Sequence, residues 1–305
     1  MSKIEYLSLE GLRVDGRRPN EVRNIEILCG SECGVDIINY DGVAQVTQGL
    51  TKAQAFVNGP TDAGRSKQRE GFETADSAVE IQCEVVMPCE KRAAGNKNNQ
   101  QTVDIAQAIT STFERNIVSH LYKNSTIHIY VNVLEADGGV KATAINAVLI
   151  ALIDAGIAMK DLVVASTAVM LNNELFIDPN QLEINASIME LTLAISVSKE
   201  EIIHIDLRSK YPIKSVDEII QSAIRGSAYF TNLAKATLRR MRNVQTVSAP
   251  PEYSWTPRNF VNRLHDNPLD FIAMTVFIAH IVGFFCLLVV LKVRHSRKKG
   301  FAVSQ

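Results

Sequence analysis

The chain has 305 residues, 46% apolar and 21% charged, which is length and apolar material enough for one large domain or two medium ones. Its 32 basic and 33 acidic side chains leave a formal net charge of −1, excluding a strongly basic nucleic-acid coat or an acidic tail protein but not a local basic patch. The opening MSKIEYLSLEGLR has no apolar run, so a secretory leader is not expected.

Short apolar runs at 25–28, 35–39, 43–47 and 53–57, punctuated by Gly30, Gly34, Gly42 and Gly49, predict strands joined by tight turns, the last stopping at Gly59-Pro60. A polar loop over 61–74 carries Arg65, Lys67 and Arg69. Another strand follows at 78–87, with Val79, Ile81, Cys83 and Val85 on one face, and then a second basic loop, 89–99, with Lys91, Arg92 and Lys97. From 101 to 121 the period changes. Val103, Ala106, Ile109, Phe113, Ile117 and Leu121 recur at three and four, the mark of an amphipathic helix. A strand over 127–134 leads through Gly138 and Gly139 into an apolar helix at 142–155, with Gly156 placed to end it. Strands are expected at 163–171, 191–196 and 202–207. The last amphipathic helix, 216–238, should turn Ile219, Ile220, Ala223, Ile224, Phe230 and Leu233 inward. Runs of strands followed by helices argue an α+β domain over residues 1–245.

The composition then shifts. Residues 246–268 form a Pro-containing linker whose APPEYSWTP stretch holds three of the nine prolines. From Phe271 to Leu291 run 21 residues without a formal charge, enough at helical rise to span a hydrocarbon core of about 30 Å. A transmembrane helix is therefore expected over 269–293, with a basic tail at 294–305. A buried soluble helix and a chimeric join of two sequences are the competing readings. The basic flank favours a cytoplasmic C-terminus, whereas an anchor inserted after synthesis would keep the domain in the cytosol.

Chemistry-bearing patterns are few. No G-x-x-x-x-G-K-[ST] run exists, the six histidines lack ligand spacing, and no nucleophile elbow is present, so P-loop, metal and Ser/His/Asp chemistry are not expected. Of the five cysteines, Cys29 and Cys33 sit four apart without a second pair to complete a zinc set, and read as reduced core thiols. Arg13-Val14-Asp15-Gly16-Arg17-Arg18, by itself a charged turn, matches the R-x-D-G-R-[RK] opening of the RNase PH family. In family order follow DGVAQV (41–46) with VNGP (57–60), LEADGG (134–139) with Ala144-Ile145-Asn146, and ALIDAG (151–156). With these four segments in register, residues 1–245 resemble the RNase PH family, and within it the ring subunits of the eukaryotic RNA exosome.

That resemblance implies an α+β fold of the RNase PH type, related to the second domain of ribosomal protein S5. It also implies a hexameric ring of paired subunits threaded by single-stranded RNA. Active relatives cleave the terminal 3′ phosphodiester with inorganic phosphate. A phosphate nucleophile suits a helix N-terminus, and Gly138 and Gly139 supply one. Active relatives follow with Ser or Thr and then Arg, where this chain has Val140 and Lys141; valine cannot donate, and lysine is a point charge rather than a fork. A second arginine pair of active relatives aligns near Gln100 and Gln101, both neutral. Their two catalytic aspartates, which serve acid catalysis or hold a divalent metal, become Ile184 and Glu190. Asp178 and Glu183 are expected to cap or to form ion pairs.

The resemblance and these departures together predict a non-catalytic ring subunit with no cofactor. It would guide RNA with Arg65, Lys67, Arg69, Lys91, Arg92 and Lys97, since basic loops neutralise backbone phosphate without reading bases. Implied partners are other RNase PH-like subunits, S1/KH-type cap subunits and a separate nuclease, with nucleus, nucleolus and cytoplasm as the implied locations. Two rivals stay open at this level: an active phosphate-dependent 3′→5′ exoribonuclease using Lys141 and Glu190, and a membrane-tethered RNA-binding adaptor.

Overall fold

The structure, a computed structural model, describes residues 6–8, 10–34, 39–62, 79–87, 97–172, 174–209 and 216–248. The chain divides into two units, Met1–Arg240 and Met241–Gln305; the architecture below is that of the first, with its last helix given to its full length, past that boundary. In chain order its elements are β1 (Ile25–Cys29), β2 (Gly42–Gln48), β3 (Thr51–Asp62), β4 (Glu80–Val86), α1 (Lys97–Asn116), β5 (Ser125–Glu135), α2 (Val140–Asp154), β6 (Val163–Leu171), β7 (Glu174–Ile177), α3 (Gln181–Ala186), β8 (Met189–Ser196), β9 (Ile202–Ser209) and α4 (Val216–Ser248).

Two sheets result, ordered β1-β2-β3-β5-β4 and β7-β6-β8-β9. Among the described residues all pairings of these strands are antiparallel except β4 with β5, which run parallel because α1 carries the chain back between them. Alternation builds the first sheet's core: Ile127, Ile129, Val131 and Val133 of β5 are buried, beside Ala53, Ala55 and Val57 of β3. Helix α2 packs against strands of both sheets. Its residues from Ala142 to Leu152 are all buried, as expected of a helix apolar on every face. Close approach sets the identity of Gly42, where a Cβ would lie 2.2 Å from the Ala151 carbonyl oxygen. Asp154 at the far end of α2 accepts the Val43 N–H at 3.0 Å. The helix closes as anticipated, in a Schellman arrangement: Ile157 N–H reaches Leu152 O, Gly156 N–H reaches Ile153 O, and Gly156 has φ +72°. The second sheet gathers Ala168, Leu191, Leu193 and Ile195 against Ile219 and Ala223 of α4.

Several expectations need correction. β3 does not stop at Gly59-Pro60 but runs to Asp62: a register shift between Asn58 and Thr61 accommodates the proline, which has no N–H to give, and pairing resumes at Thr61 with Thr126. α1 spans Lys97–Asn116 rather than 101–121. Its buried stripe is Ile105, Ala108, Ile109, Thr112 and Phe113, and Val103 and Leu121 are 60% and 59% exposed. The helix ends where the Asn116 amide clamps Asp161, donating to its carbonyl at 2.8 Å and accepting its N–H at 3.3 Å, while Ile117 bridges to Met159. α4 continues to Ser248, and Ile224 is exposed on it while Ser222, Ser227 and Thr231 are buried. Of these, Ser227 and Thr231 satisfy their hydroxyls locally, at Ile224 O and Ser227 O. β7 and α3 were not anticipated. The expected strand at 35–39 lies outside the described residues save Asn39.

Cys29, Cys33 and Cys83 are free thiols, and burial pushes them up to about 11, 11 and 12. Among the described residues no helix is long and apolar enough to cross a membrane. Phe271 to Leu291, and nearly all of the expected 246–268 linker, lie outside those residues.

Candidate active-site cleft

The charged turn near the N-terminus is a buried clamp rather than a solvated surface feature. Arg13 and Glu183 have fully buried side chains and form an ion pair, with Arg13 Nε donating to Glu183 Oε1 at 2.7 Å and Nη1 to Ile177 O at 2.8 Å. The guanidinium also lies 5.1 Å from the Phe176 ring centroid. Arg23 grips Asp178 through its backbone N–H at 2.8 Å, Nε at 3.0 Å and Nη2 at 2.7 Å. Glu183 forms a reciprocal capping box with Asn180 at the start of α3, so the capping and ion-pairing roles expected of Asp178 and Glu183 are both realised.

This clamp positions the start of α2. Arg23 Nη1 donates to Asp137 O at 2.7 Å, and Thr51 Oγ1 donates to Gly138 O at 2.8 Å. Gly138 (φ +83°) and Gly139 (φ +63°) are left-handed, and a Cβ on Gly138 would lie 2.5 Å from Pro179 O, so the turn seats directly on the entry to α3. Gly139 is the N-cap residue of α2 and offers no side-chain cap, which leaves the helix start with N–H groups lacking an intrahelical partner.

A cleft of about 720 Å³ opens on that turn. It brings together residues the sequence associated from distant segments: Gly138 and Gly139 from the turn before α2, Val140 and Lys141 from its first turn, Gln101 from α1, Ile184 from α3 and Glu190 from β8. Gln100 is exposed and does not line it. Arg65, Lys67, Arg69, Lys91 and Arg92 lie outside the described residues, and Lys97 is the first residue of α1.

Sequence reasoning missed the far wall. Asp206 and Arg208 of β9 and Asp104 of α1 line the cleft as well. Lys141 Nζ donates to Asp206 Oδ2, and Arg208 Nη2 lies 3.6 Å from the same oxygen and 3.9 Å from Asp104 Oδ2. On the neighbouring strand, Glu190 stands opposite Arg208 in register. The signal was available: a strand places His204, Asp206 and Arg208 on one face.

Titration follows from this placement. Burial pushes the Glu190 carboxyl up, with Asp206 adding to the effect and Arg208 and Lys141 opposing it. Burial acts the same way on Asp206, but the hydrogen bond and charge of Lys141, with Arg208, outweigh it and hold that carboxyl below its ordinary range. His204 is pushed down by burial and then by Lys141, and among the described residues its Nε2 has no hydrogen-bond partner. Among the described residues the cleft thus presents Lys141 and Arg208 against Asp104, Glu135, Glu190 and Asp206. An uncapped helix start attracts an anion, and the surrounding carboxylates oppose it. Position 140 holds no hydroxyl, and Ile184 has no acid to offer.

Comparison with known proteins gives this geometry its context. The model for the 3′ exoribonuclease family, domain 1, matches residues 21–158. The chain is 34% identical over 241 residues to exosome complex component ski6 of Schizosaccharomyces pombe, covering 79% of this chain and 96% of that protein. With exosome complex component RRP41 of Homo sapiens it shares 30% over 243 residues, again covering 79% and 96%. In fold it resembles the crystal structure of rice (Oryza sativa) Rrp46, with a TM-score of 0.63 at 22% identity, covering 74% of this chain and all of that one. The archaeal exosome core gives a TM-score of 0.59 at 16% identity, covering 74% and 92%. Similarity of this extent, over nearly the whole length of each relative, makes the chain a member of the RNase PH family of 3′ exoribonucleases, on the side of the RRP41 and SKI6 proteins.

Proposed function

We propose that this chain is a non-catalytic core subunit of an RNA exosome, one that builds an RNase PH-like ring and guides RNA for 3′→5′ processing and decay. The observation carrying the assembly role is the near-complete coverage of exosome components at 30–34% identity. The cleft supports the absence of phosphorolysis. Val140 and Ile184 bring carbon where a hydroxyl and an acid are needed, Gln101 is neutral, and Lys141 already holds Asp206. Catalysis then falls to a separate nuclease of the same assembly. Arg65, Lys67, Arg69, Lys91, Arg92 and Lys97 are the residues proposed to neutralise the backbone of a passing strand. Ribosomal and messenger RNA in nucleus and cytoplasm are the substrates and setting such a role entails.

The test is to purify a tagged full-length chain in mild detergent, identify its partners and size the complex. Recovery of other RNase PH-like and S1/KH-type subunits in one large assembly is expected. A chain free of those partners overturns the proposal.

The uncharged run from Phe271 to Leu291, followed by Lys292, Arg294, Arg297, Lys298 and Lys299, supports a second feature, a C-terminal membrane anchor. Fractionation reads it directly. Membrane association that survives high salt and yields only to detergent is expected, and salt-extractable protein rules the anchor out.

A further inference from the structure

The RNase PH-type cleft begins with an anion-favouring element, the uncapped start of a 15-residue helix, yet its cations are already engaged. Both Lys141 and Arg208 turn to one carboxylate. Lys141 Nζ hydrogen-bonds Asp206 Oδ2, and the Arg208 guanidinium stands 3.6 Å from that same oxygen. Asp206 sits on the edge strand β9 and reaches Lys141 in the first turn of α2. An incoming phosphate would have to displace Asp206 from Lys141 and then lie among Glu190, Asp104 and Glu135.

We infer that Asp206 is the residue that keeps phosphate out of this cleft: it takes the place of an anion on Lys141 and Arg208 and so selects against both inorganic phosphate and the phosphodiester of an RNA 3′ end. The inference rests on the reading of the cleft as catalytically silent and names what enforces it. Val140 and Ile184 remove groups that chemistry would need, whereas Asp206 removes the affinity for the reactant. Neutralising it frees Lys141 beside an uncapped helix start and leaves Arg208 with its longer approach to Asp104, and one carboxylate less within a few ångströms of a bound anion is worth about tenfold or more in affinity.

The experiment compares full-length wild type with Asp206→Asn, Asp206→Ser and Asp206→Glu. Each is titrated with inorganic phosphate at constant ionic strength, and binding is read by the phosphorus NMR line width and by the rise in melting temperature. A parallel arm uses a short oligoribonucleotide. Wild type and Asp206→Glu should show no saturable binding of phosphate. Asp206→Asn and Asp206→Ser should bind it saturably, at least about tenfold more tightly than the limit set by wild type, and the added change Lys141→Met should abolish that gain. Either neutral variant suffices if the other fails to fold. A gain in the oligoribonucleotide arm alone would assign the exclusion to RNA rather than to free phosphate and overturn the inference for the latter. Phosphate binding by wild type equal to that of Asp206→Asn would overturn it outright, as would its absence from a folded Asp206→Asn. Release of nucleoside diphosphates by wild type is a different result and would end the silent reading itself.

Discussion

Two charge networks meet at the Gly138–Gly139 turn, and they are built to different standards. Behind the turn, Arg13 with Glu183 and Arg23 with Asp178 are sealed from water, and their remaining donors reach backbone carbonyls at Ile177, Asp137 and Gly138. In front of it, Lys141, Asp206, Arg208 and Asp104 form a chain that opens to solvent, where Arg208 is 52% exposed. A buried pair with every donor satisfied fixes geometry, because either partner left alone would be an uncompensated charge. An open pair contributes little to stability and instead sets the potential that a ligand meets. One network therefore shapes the cleft, and the other decides what enters it.

The sharpest way to break this contrast is to remove one buried partner. Glu183→Ala leaves Arg13 without its counter-charge and α3 without its capping box, and should cost about 3–5 kcal/mol in urea unfolding. A loss as small as that of a surface substitution would mean the clamp is not what it looks like. Next comes the turn itself. Gly138→Ala asks an alanine to adopt φ +83° with its Cβ 2.5 Å from Pro179 O, and should destabilise by about 1–3 kcal/mol, again by urea unfolding.

Smaller effects come from the cleft, where the two carboxylates carry opposite signs. Glu190 is pushed up by burial, so its ionisation opposes folding, and that penalty is absent below the unfolded carboxyl range near ~4.3. Glu190→Gln should therefore raise the melting temperature at pH 7, with the gain gone at pH 4. Asp206 is held down, so the stability it contributes is present above the unfolded range near ~3.9 and is lost as pH falls through its folded value. Asp206→Asn should accordingly lower the melting temperature at pH 7 and make less difference in acid. Matching pH profiles for the two variants would contradict the assignment. Smallest of all, Arg208→Ala should change stability by no more than about 0.5 kcal/mol, since its pairs are exposed and long.

The fold was legible where periodicity and burial agree. β5 alternates strictly, and α2 is apolar on every face and ends at Gly156. The phase of α1 departs from the periodicity through Val103 because Ile109 and Phe113 fix the stripe, which four residues earlier passes through Ile105. The α3 cap was visible as Asn180 followed at three by Glu183. β7, with four residues in a tight hairpin, offers no period to detect. Within the site, the residues near Gly138 were recognisable from a family pattern. Asp206 and Arg208 belong to no such pattern, and only the pairing of β9 with β8 places them opposite Thr192 and Glu190. A charge network contributed by three elements distant in sequence is a tertiary property, and single-strand alternation gives its face but not its partners.

The RNase PH-type cleft of this chain is expected to perform no phosphorolysis. The most direct measurement incubates the full-length chain, alone and with its ring partner, with a 3′-hydroxyl oligoribonucleotide and inorganic phosphate, and follows nucleoside diphosphate release. No phosphate-dependent release is predicted from either preparation. Release that requires phosphate and disappears on Lys141→Met would show that Lys141 sustains the reaction, and would contradict that prediction.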